Sequence, residues 1–129
     1  MEQHMKSKSR IITERVITGV IALVIIMSAI YKLVSGSDSE GAKNFVKWGL
    51  GSHIKLIGAM ELILGVIFLI PRTFSIGVLL LASYFGGAIA THIEHGEAQN
   101  LMVPTIILLL IWVVSYLRNP DMFSSLFKK

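Results

Sequence analysis

Four long apolar segments dominate this 129-residue chain and limit the folds that are open to it. They cover residues 11–34, 54–70, 74–91 and 101–117, and 53% of all residues are hydrophobic. A helix needs about 20 apolar residues, with some tolerance, to cross the hydrocarbon of a bilayer. Flanking residues that reach the interface extend the three shorter segments toward that length. We therefore expect four membrane-spanning helices.

The pattern within these segments favours helices over the strands of a membrane β-barrel. The apolar runs are almost continuous, as in residues 106–112, whereas barrel strands alternate apolar and polar residues. The connections after the second and third segments are short, which favours antiparallel neighbours. The sequence predicts an all-α polytopic membrane protein, a four-helix bundle with up-down-up-down topology. Its single membrane domain covers residues 11–118, between a basic N-terminal tail (1–10) and an interfacial C-terminal tail (119–129).

The distribution of lysine and arginine predicts the orientation in the membrane. Eight of the 12 basic residues fall on the side that holds both termini and the turn after the second segment. These eight are Lys6, Lys8, Arg10, Arg15, Arg72, Arg118, Lys128 and Lys129. Because cytoplasmic loops of membrane proteins are enriched in basic residues, we expect both termini to be cytoplasmic. The net charge of +4 then reflects topology and anionic lipid head groups, and nucleic acid is not an expected partner.

Two connecting segments carry signals of their own. Pro71 stops the second helix, and Thr73 is placed to cap the third. The segment 40–52 contains a short amphipathic stretch with Phe45 and Trp48. Aromatic residues of this kind suit the head-group layer, so one interpretation is an interfacial linker helix. The other is a cap over a cavity between the spans, and the two are compatible.

Glu61 interrupts the second apolar segment near its middle. A charged side chain at the centre of a membrane helix costs about 2.5 to 3.5 kcal/mol on insertion scales, so such residues face the protein interior and mark functional sites. Gly58 and Gly65 share the Glu61 face by i+3 and i+4 spacing. Glycines on that face permit close approach of a neighbouring helix.

Other polar residues of the spans fall at the same membrane depth as Glu61. Helical periodicity also gives each of them a face with small or polar neighbours, as an inward orientation requires. The predicted polar cluster consists of Ser28, Lys32, Glu61, Tyr84, Thr91 and His92. One interpretation is a buried Lys32–Glu61 ion pair that fixes the register of the bundle without a ligand. In the other, Glu61 is the proton acceptor or ligand anchor of a pocket, with Lys32 as its counter-ion.

Neither metal nor thiol chemistry is expected of this chain. His92 and His95, with Glu94 between them, lack a third committed ligand, so no metal site is predicted. The sequence contains no cysteine, which excludes thiol redox chemistry and thiolate ligation by its own side chains. A redox role would therefore depend on a bound cofactor or on a partner subunit.

Short motifs in every apolar segment resemble those of the DoxX-like family. They are SAIYKLV (28–34), GAMELILG (58–65) followed by IPR (70–72), GGAIATH (86–92) and YLRNP (116–120). The resemblance covers nearly the whole chain after residue 10, and the polar residues occur in the expected order on three helices.

The resemblance implies a bacterial inner-membrane protein related to the small DoxD/DoxX subunits associated with thiosulfate:quinone oxidoreductase. It also implies a quinone-linked or oxidative-stress role, usually beside partner subunits. The family landmarks correspond here to Lys32, Glu61, Thr91 and His92. Independent oxidoreductase activity is not expected, because the chain has no cysteine for a thiol relay.

Three functions remain open at this point. The first is a non-autonomous membrane subunit that binds a hydrophobic redox or lipid molecule, such as a quinone, in an outer-leaflet polar pocket. The second is a structural or assembly partner of another membrane protein, with no ligand. The third, a small proton-coupled transporter, is favoured least because the chain lacks a broken-helix repeat. Expected partners are the lipid bilayer, a membrane or oxidoreductase subunit, and further copies of the chain.

Overall fold

The computed structural model describes residues 7–35, 43–97 and 101–127, and these residues form helices and turns without a β-strand. Short 3-10 turns, Gly51–His53 and Pro71–Thr73, precede the third and fourth helices. The α-helices are α1 (Lys8–Ser35), α2 (Lys43–Lys47), α3 (Ile54–Leu69), α4 (Phe74–Glu94), α5 (Met102–Arg118) and α6 (Asp121–Phe127). The prediction of an all-helical protein is confirmed for the described residues.

The four long helices pack side by side in a closed ring. Helix α1 contacts α3 most extensively, α3 contacts α4, α4 contacts α5, and α5 returns to α1. A cluster of buried apolar side chains forms the core at the centre. It contains Ile21, Ala22, Ile25, Phe68, Phe74, Val78, Leu81, Phe85, Ile107, Ile111 and Val114. Other large apolar side chains of the same helices remain exposed, as is typical of a surface that faces lipid.

Each end of the ring is recognised by its contacts. At one end, Lys32 of α1, His92 of α4 and Pro104 of α5 line a common cavity, and we call this the Lys32 end. At the other end, the Arg10 Nε group donates a hydrogen bond to the Leu117 carbonyl oxygen at 3.2 Å. The Phe68 and Phe74 ring centroids lie 5.1 Å apart there, and we call it the Phe74 end.

Three helical segments are long and apolar enough to cross a membrane: Lys8–Ser35, Gly51–Leu69 and Pro71–Glu94. The fourth predicted span, Met102–Arg118, is also apolar but has only 17 residues. At 1.5 Å per residue it is about 26 Å long, slightly less than a typical hydrocarbon core. The structure therefore contains three full-length candidate spans and one shorter apolar helix.

The turn between α3 and α4 corrects the predicted role of Thr73. Thr73 does occupy the position before α4, but its side chain makes no capping hydrogen bond. Its hydroxyl instead donates to the Ile67 carbonyl oxygen at 2.8 Å. In a continuous helix the residue at position 71 would donate to that carbonyl, and Pro71 has no N–H to do so. Thr73 thus compensates for the proline that ends the helix.

Helices α2 and α4 end in the same hydrogen-bonding motif. After α2, Gly49 N–H donates to Val46 and Leu50 N–H donates to Phe45. After α4, Gly96 and Glu97 donate to Ile93 and His92 in the same pattern. Both glycines have positive φ, 79° and 71°, as this Schellman type of helix end requires. The motif fixes the direction in which the chain leaves each helix.

The predicted glycine face of α3 does lie against α1. A Cβ atom at Gly58 would come within 3.0 Å of the Ala29 carbonyl oxygen, and one at Gly65 within 3.1 Å of Ile26. Both glycines and Glu61 between them are buried. The expected close approach is therefore confirmed, and it brings the Glu61 carboxylate directly to the surface of α1.

Candidate functional site

A cavity of about 270 Å³ lies among the four long helices at the Lys32 end. Polar side chains occupy part of its wall, and apolar residues of α1, α4 and α5 form the remainder. Its lining consists of Val24, Ile25, Ser28, Lys32, Phe45, Glu61, Tyr84, Phe85, Ala88, His92, Val103, Pro104 and Ile107. A concave apolar space with a few convergent polar groups is the usual form of a small-molecule site.

The charged part of this wall is an ion pair between neighbouring helices. The Lys32 ammonium group on α1 contacts the Glu61 carboxylate on α3, and their side chains are 15% and 4% exposed. Lys32 also donates to the Ser28 hydroxyl at 2.7 Å, and that hydroxyl donates to Glu61 at 3.5 Å. Ser28 is therefore a second contact for both charges, and the pair carries little net charge.

Tyr84 approaches the ion pair from α4. It lines the larger cavity together with Glu61 and interacts electrostatically with the Glu61 carboxylate. Its ring packs edge-on against Phe85, with the centroids 5.2 Å apart. A phenol can both donate and accept hydrogen bonds. Tyr84 thus adds a neutral polar group to a site in which the two charges compensate each other.

His92 lies about two turns beyond Tyr84, near the end of α4. Its Nδ1 atom is 2.7 Å from the Ala88 carbonyl oxygen. A carbonyl oxygen only accepts hydrogen bonds, so Nδ1 carries the hydrogen. In the neutral ring the acceptor lone pair then belongs to Nε2. His92 is consequently oriented by its own helix and offers a second ring nitrogen for proton exchange.

A smaller cavity of about 140 Å³ adjoins the first across the same wall. Phe45, Tyr84, Ala88 and His92 line both cavities. Thr91 lines only the smaller one, and its hydroxyl donates to the Gly87 carbonyl oxygen at 2.9 Å. The two spaces are therefore lobes of one region, with Tyr84 and His92 between them.

Helix α2 covers this region. The Phe45 ring lies 5.5 Å from the Lys32 Nζ atom, in a cation–π arrangement. Trp48 contacts the rings of His92 and His95, with centroid distances of 4.9 and 5.2 Å. An ion pair between Lys47 and Glu97 at 3.2 Å is a further link to the end of α4. Helix α2 therefore lies over the cavities, as the cap interpretation predicts, and the interfacial linker that the sequence favoured is compatible with this position.

All six residues of the predicted polar cluster lie beside these two cavities. Five line the larger cavity, and Thr91 lines the smaller one together with Tyr84 and His92. The apolar wall was not predicted from the sequence. A usable signal exists on α1, where Val24, Ile25, Ser28 and Lys32 share one helical face.

A second buried polar group, also missed, lies at the Phe74 end. Glu14 on α1 is only 7% exposed and attracts the Arg118 guanidinium electrostatically. Arg118 in turn lies over the Phe74 ring, with its central carbon 3.9 Å from the ring centroid. Glu14 was overlooked because it sits among basic residues that were attributed to the interface.

The described residues contain no group of three or more His, Cys, Asp or Glu side chains that could hold a metal ion. The bundle and its cavity thus define an all-helical protein of the membrane type, with a polar site enclosed by apolar helices. Residues 16–114 match the model of the DoxX-like family, and the chain belongs to that family. Comparison with curated proteins and with solved structures finds no match.

Proposed function

We propose that this DoxX-like protein is an integral protein of the bacterial inner membrane that binds a hydrophobic molecule with a polar head. The observation that supports this proposal is the cavity of about 270 Å³, in which the Lys32–Glu61 pair faces an apolar wall. A redox or lipid molecule such as a quinone has this combination of a polar head and apolar remainder. The protein acts as a subunit beside a membrane partner.

The proposed topology follows from the ends of the ring. The four long helices cross the membrane in alternating directions, and residues 11–118 form the membrane domain. Arg10 and Arg118 belong to the Phe74 end, which carries the cytoplasmic charge on this proposal. The Lys32 end then faces the opposite leaflet, and residues 1–10 and 119–129 are cytoplasmic tails. Accessibility of single cysteines placed at the exposed positions Glu94 and Ser9 in intact cells tests this orientation.

The roles of the polar residues follow from their contacts. Tyr84 and Lys32 donate hydrogen bonds to an acceptor such as a quinone carbonyl. Glu61 and His92 are placed to exchange protons with the head, since general acid–base groups must lie within hydrogen-bond reach of it. Lys32 is the counter-ion of Glu61 while the site is empty. Electrons, where the reaction needs them, come from the ligand or from a partner subunit.

A second candidate function is supported by the ion pair itself. A buried pair that is completed by Ser28 could fix the register of α1 against α3 without any ligand. The protein would then act as an assembly partner for another membrane protein. This function requires the cavity to remain empty and the ion pair to serve stability alone.

Native mass spectrometry and absorption spectroscopy of the protein in lipid nanodiscs separate these functions. We expect a specific quinone or lipid to co-purify with the wild type and to be lost from Glu61→Gln and from Tyr84→Phe. Tyr84→Phe removes a single hydroxyl, so it tests ligand binding even if Glu61→Gln folds poorly. Ser83→Ala is the control, because it also removes one hydroxyl from α4, and the exposed Ser83 donates to the Leu79 carbonyl oxygen of its own helix and lines neither cavity.

Two results would contradict ligand binding. One is unchanged ligand content in both cavity variants. The other is an empty wild-type protein whose Glu61→Gln variant is destabilised, which supports the assembly function. Transport is tested by proton flux in liposomes, and an absence of flux in the wild type removes that alternative.

A further inference from the structure

The larger cavity reaches the outside of the bundle between α1 and α5. Val24 and Val103 both line it, yet they remain 43% and 64% exposed. Side chains that line a cavity and are also exposed stand at its opening. Helices α1 and α5 also contact each other less extensively than the other neighbouring pairs of the ring. We call the opening between Val24 and Val103 the lateral mouth.

Polarity changes systematically along the α1 side of this cavity. Val24 and Ile25 are apolar, whereas Ser28 and Lys32 follow one and two turns later. Val24 and Lys32 are eight positions apart, or about 12 Å along the helix axis. The polar groups therefore lie toward the end of the bundle, and the apolar groups lie toward its middle. A lipid in one leaflet has the same order of head and chain.

The size and charge of the cavity restrict its ligand further. Its volume of about 270 Å³ is below the roughly 300 to 1,000 Å³ of typical small-molecule sites. It accommodates a head and the first part of a chain, so a longer chain has to leave through the mouth. Lys32 and Glu61 largely neutralise each other, and this favours an uncharged head that forms hydrogen bonds.

We infer that the ligand is a single-chain amphiphile with an uncharged head, which enters from the bilayer through the lateral mouth. This inference rests on the proposed function and specifies its ligand class and route. The head contacts the Lys32–Glu61 pair and Tyr84. The chain runs past Val24 and Val103 and remains partly in lipid, so the site never has to open to water.

Binding of two quinone probes to the protein in nanodiscs tests the lateral mouth. One probe is decylubiquinone, which has an uncharged head and one alkyl chain, and the other is the same quinone without a chain. Val103→Trp and Val24→Trp narrow the mouth. Val113→Trp and Val20→Trp are the matched controls, because these valines are 47% and 51% exposed on the same two helices and do not line the cavity.

We expect the mouth variants to bind decylubiquinone about tenfold or more weakly, while the controls bind it like the wild type. The chainless quinone should bind more weakly than decylubiquinone to the wild type. The protein has no cysteine of its own, so the single thiol of Val103→Cys can be blocked by a bulky disulfide-forming reagent. Reduction then removes the reagent and reopens the mouth. Recovery of binding after reduction excludes misfolding as the cause.

The results separate the hypothesis of entry through the lateral mouth from the hypothesis of ligand binding at the Lys32–Glu61 pair. Binding that is lost in Glu61→Gln but unchanged in Val103→Trp, Val24→Trp and blocked Val103→Cys would refute the lateral mouth and leave the proposed site intact. Equal binding of both probes would refute the contribution of the alkyl chain to binding. A wild-type protein that binds neither probe would overturn the inference together with the uncharged-head ligand class.

Discussion

Lys32 and Glu61 form an ion pair in which the carboxylate is the more deeply buried partner, 4% exposed against 15% for the lysine side chain. Removal of the lysine leaves a buried charge, whereas removal of the carboxylate leaves a lysine that still contacts Ser28 and some solvent. Loss of the lysine therefore costs more stability than loss of the carboxylate.

We expect Lys32→Met to destabilise the protein more than Glu61→Gln, and breaking a buried pair typically costs about 3 to 5 kcal/mol. The double variant Lys32→Met/Glu61→Leu should recover most of the loss, because apolar groups can replace a buried pair at little cost. Unfolding by SDS in mixed micelles measures the free energies. Glu97→Gln, which affects a pair with a largely exposed lysine, should change stability by under about 1 kcal/mol. A double variant that is no more stable than Lys32→Met would contradict coupling of the two residues.

Gly77 of α4 packs against the backbone of the last turn of α3. A Cβ atom at this position would lie 2.7 Å from the Phe68 Cα atom and 2.9 Å from its nitrogen. Backbone atoms cannot rotate away, so we expect Gly77→Ala to destabilise by about 1 to 3 kcal/mol. Gly86→Ala is the matched control on the same helix, since no atom lies within 4 Å of its added carbon. Similar thermal midpoints for the two variants would show that α3 and α4 separate easily.

Ser115 is completely buried, and its hydroxyl has no hydrogen-bond partner among the described residues. A buried polar group without a partner costs about 1 to 3 kcal/mol. We therefore expect Ser115→Ala to raise the thermal midpoint or leave it unchanged. Thr18→Val should lower it slightly, because the Thr18 hydroxyl donates to the Glu14 carbonyl oxygen at 2.7 Å. A clear loss of stability in Ser115→Ala would indicate that this hydroxyl has an essential partner.

The Trp48 ring is the main link between α2 and the end of α4. Its two ring contacts, to His92 and His95, contribute roughly 0.5 to 1.5 kcal/mol each. We expect Trp48→Ala to increase amide hydrogen exchange of α2 by about tenfold. Tyr116→Ala removes an aromatic contact to Phe123 at the opposite end and should affect α6 instead. Unchanged exchange in α2 would mean that Lys47 and Phe45 suffice to hold the cap.

The polar cluster was predictable because each of its residues is costly in an apolar helix. Glu61 and Lys32 have few low-energy positions in a membrane other than against each other, and the spacing of Gly58 and Gly65 identified the face that brings them together. The physics of desolvation thus limits where charges can go. No comparable penalty applies to Val24 or Val103, so the apolar wall was marked only by the helical face that Val24 shares with Ser28 and Lys32.

Other features depend on relationships that a sequence does not display. Thr73 was expected to accept hydrogen bonds as the cap of α4, but its hydroxyl donates instead to the Ile67 carbonyl oxygen, which Pro71 leaves without a donor. The tight contact at Gly77 depends on how α3 and α4 pack. Gly86 and Gly19 also lie on long helices, yet a Cβ atom added at either position would have no atom within 4 Å. The pairing of Trp48 with His95 similarly requires two helix ends to meet.

The unequal lengths of α1 and α5 lead to a hydrophobic mismatch within one molecule. At 1.5 Å per residue, 28 residues of α1 span about 42 Å and 17 residues of α5 about 26 Å. Arg10 lies level with Leu117 near the end of α5, so the extra length of α1 extends past α5 at the Lys32 end. In a hydrocarbon layer of about 30 Å, that end of α1 reaches the head groups, while α5 draws the leaflets together. The lateral mouth opens beside α5, so it faces the thinnest lipid around the protein. Membrane thickness thereby becomes a physical variable that acts directly on access to the cavity.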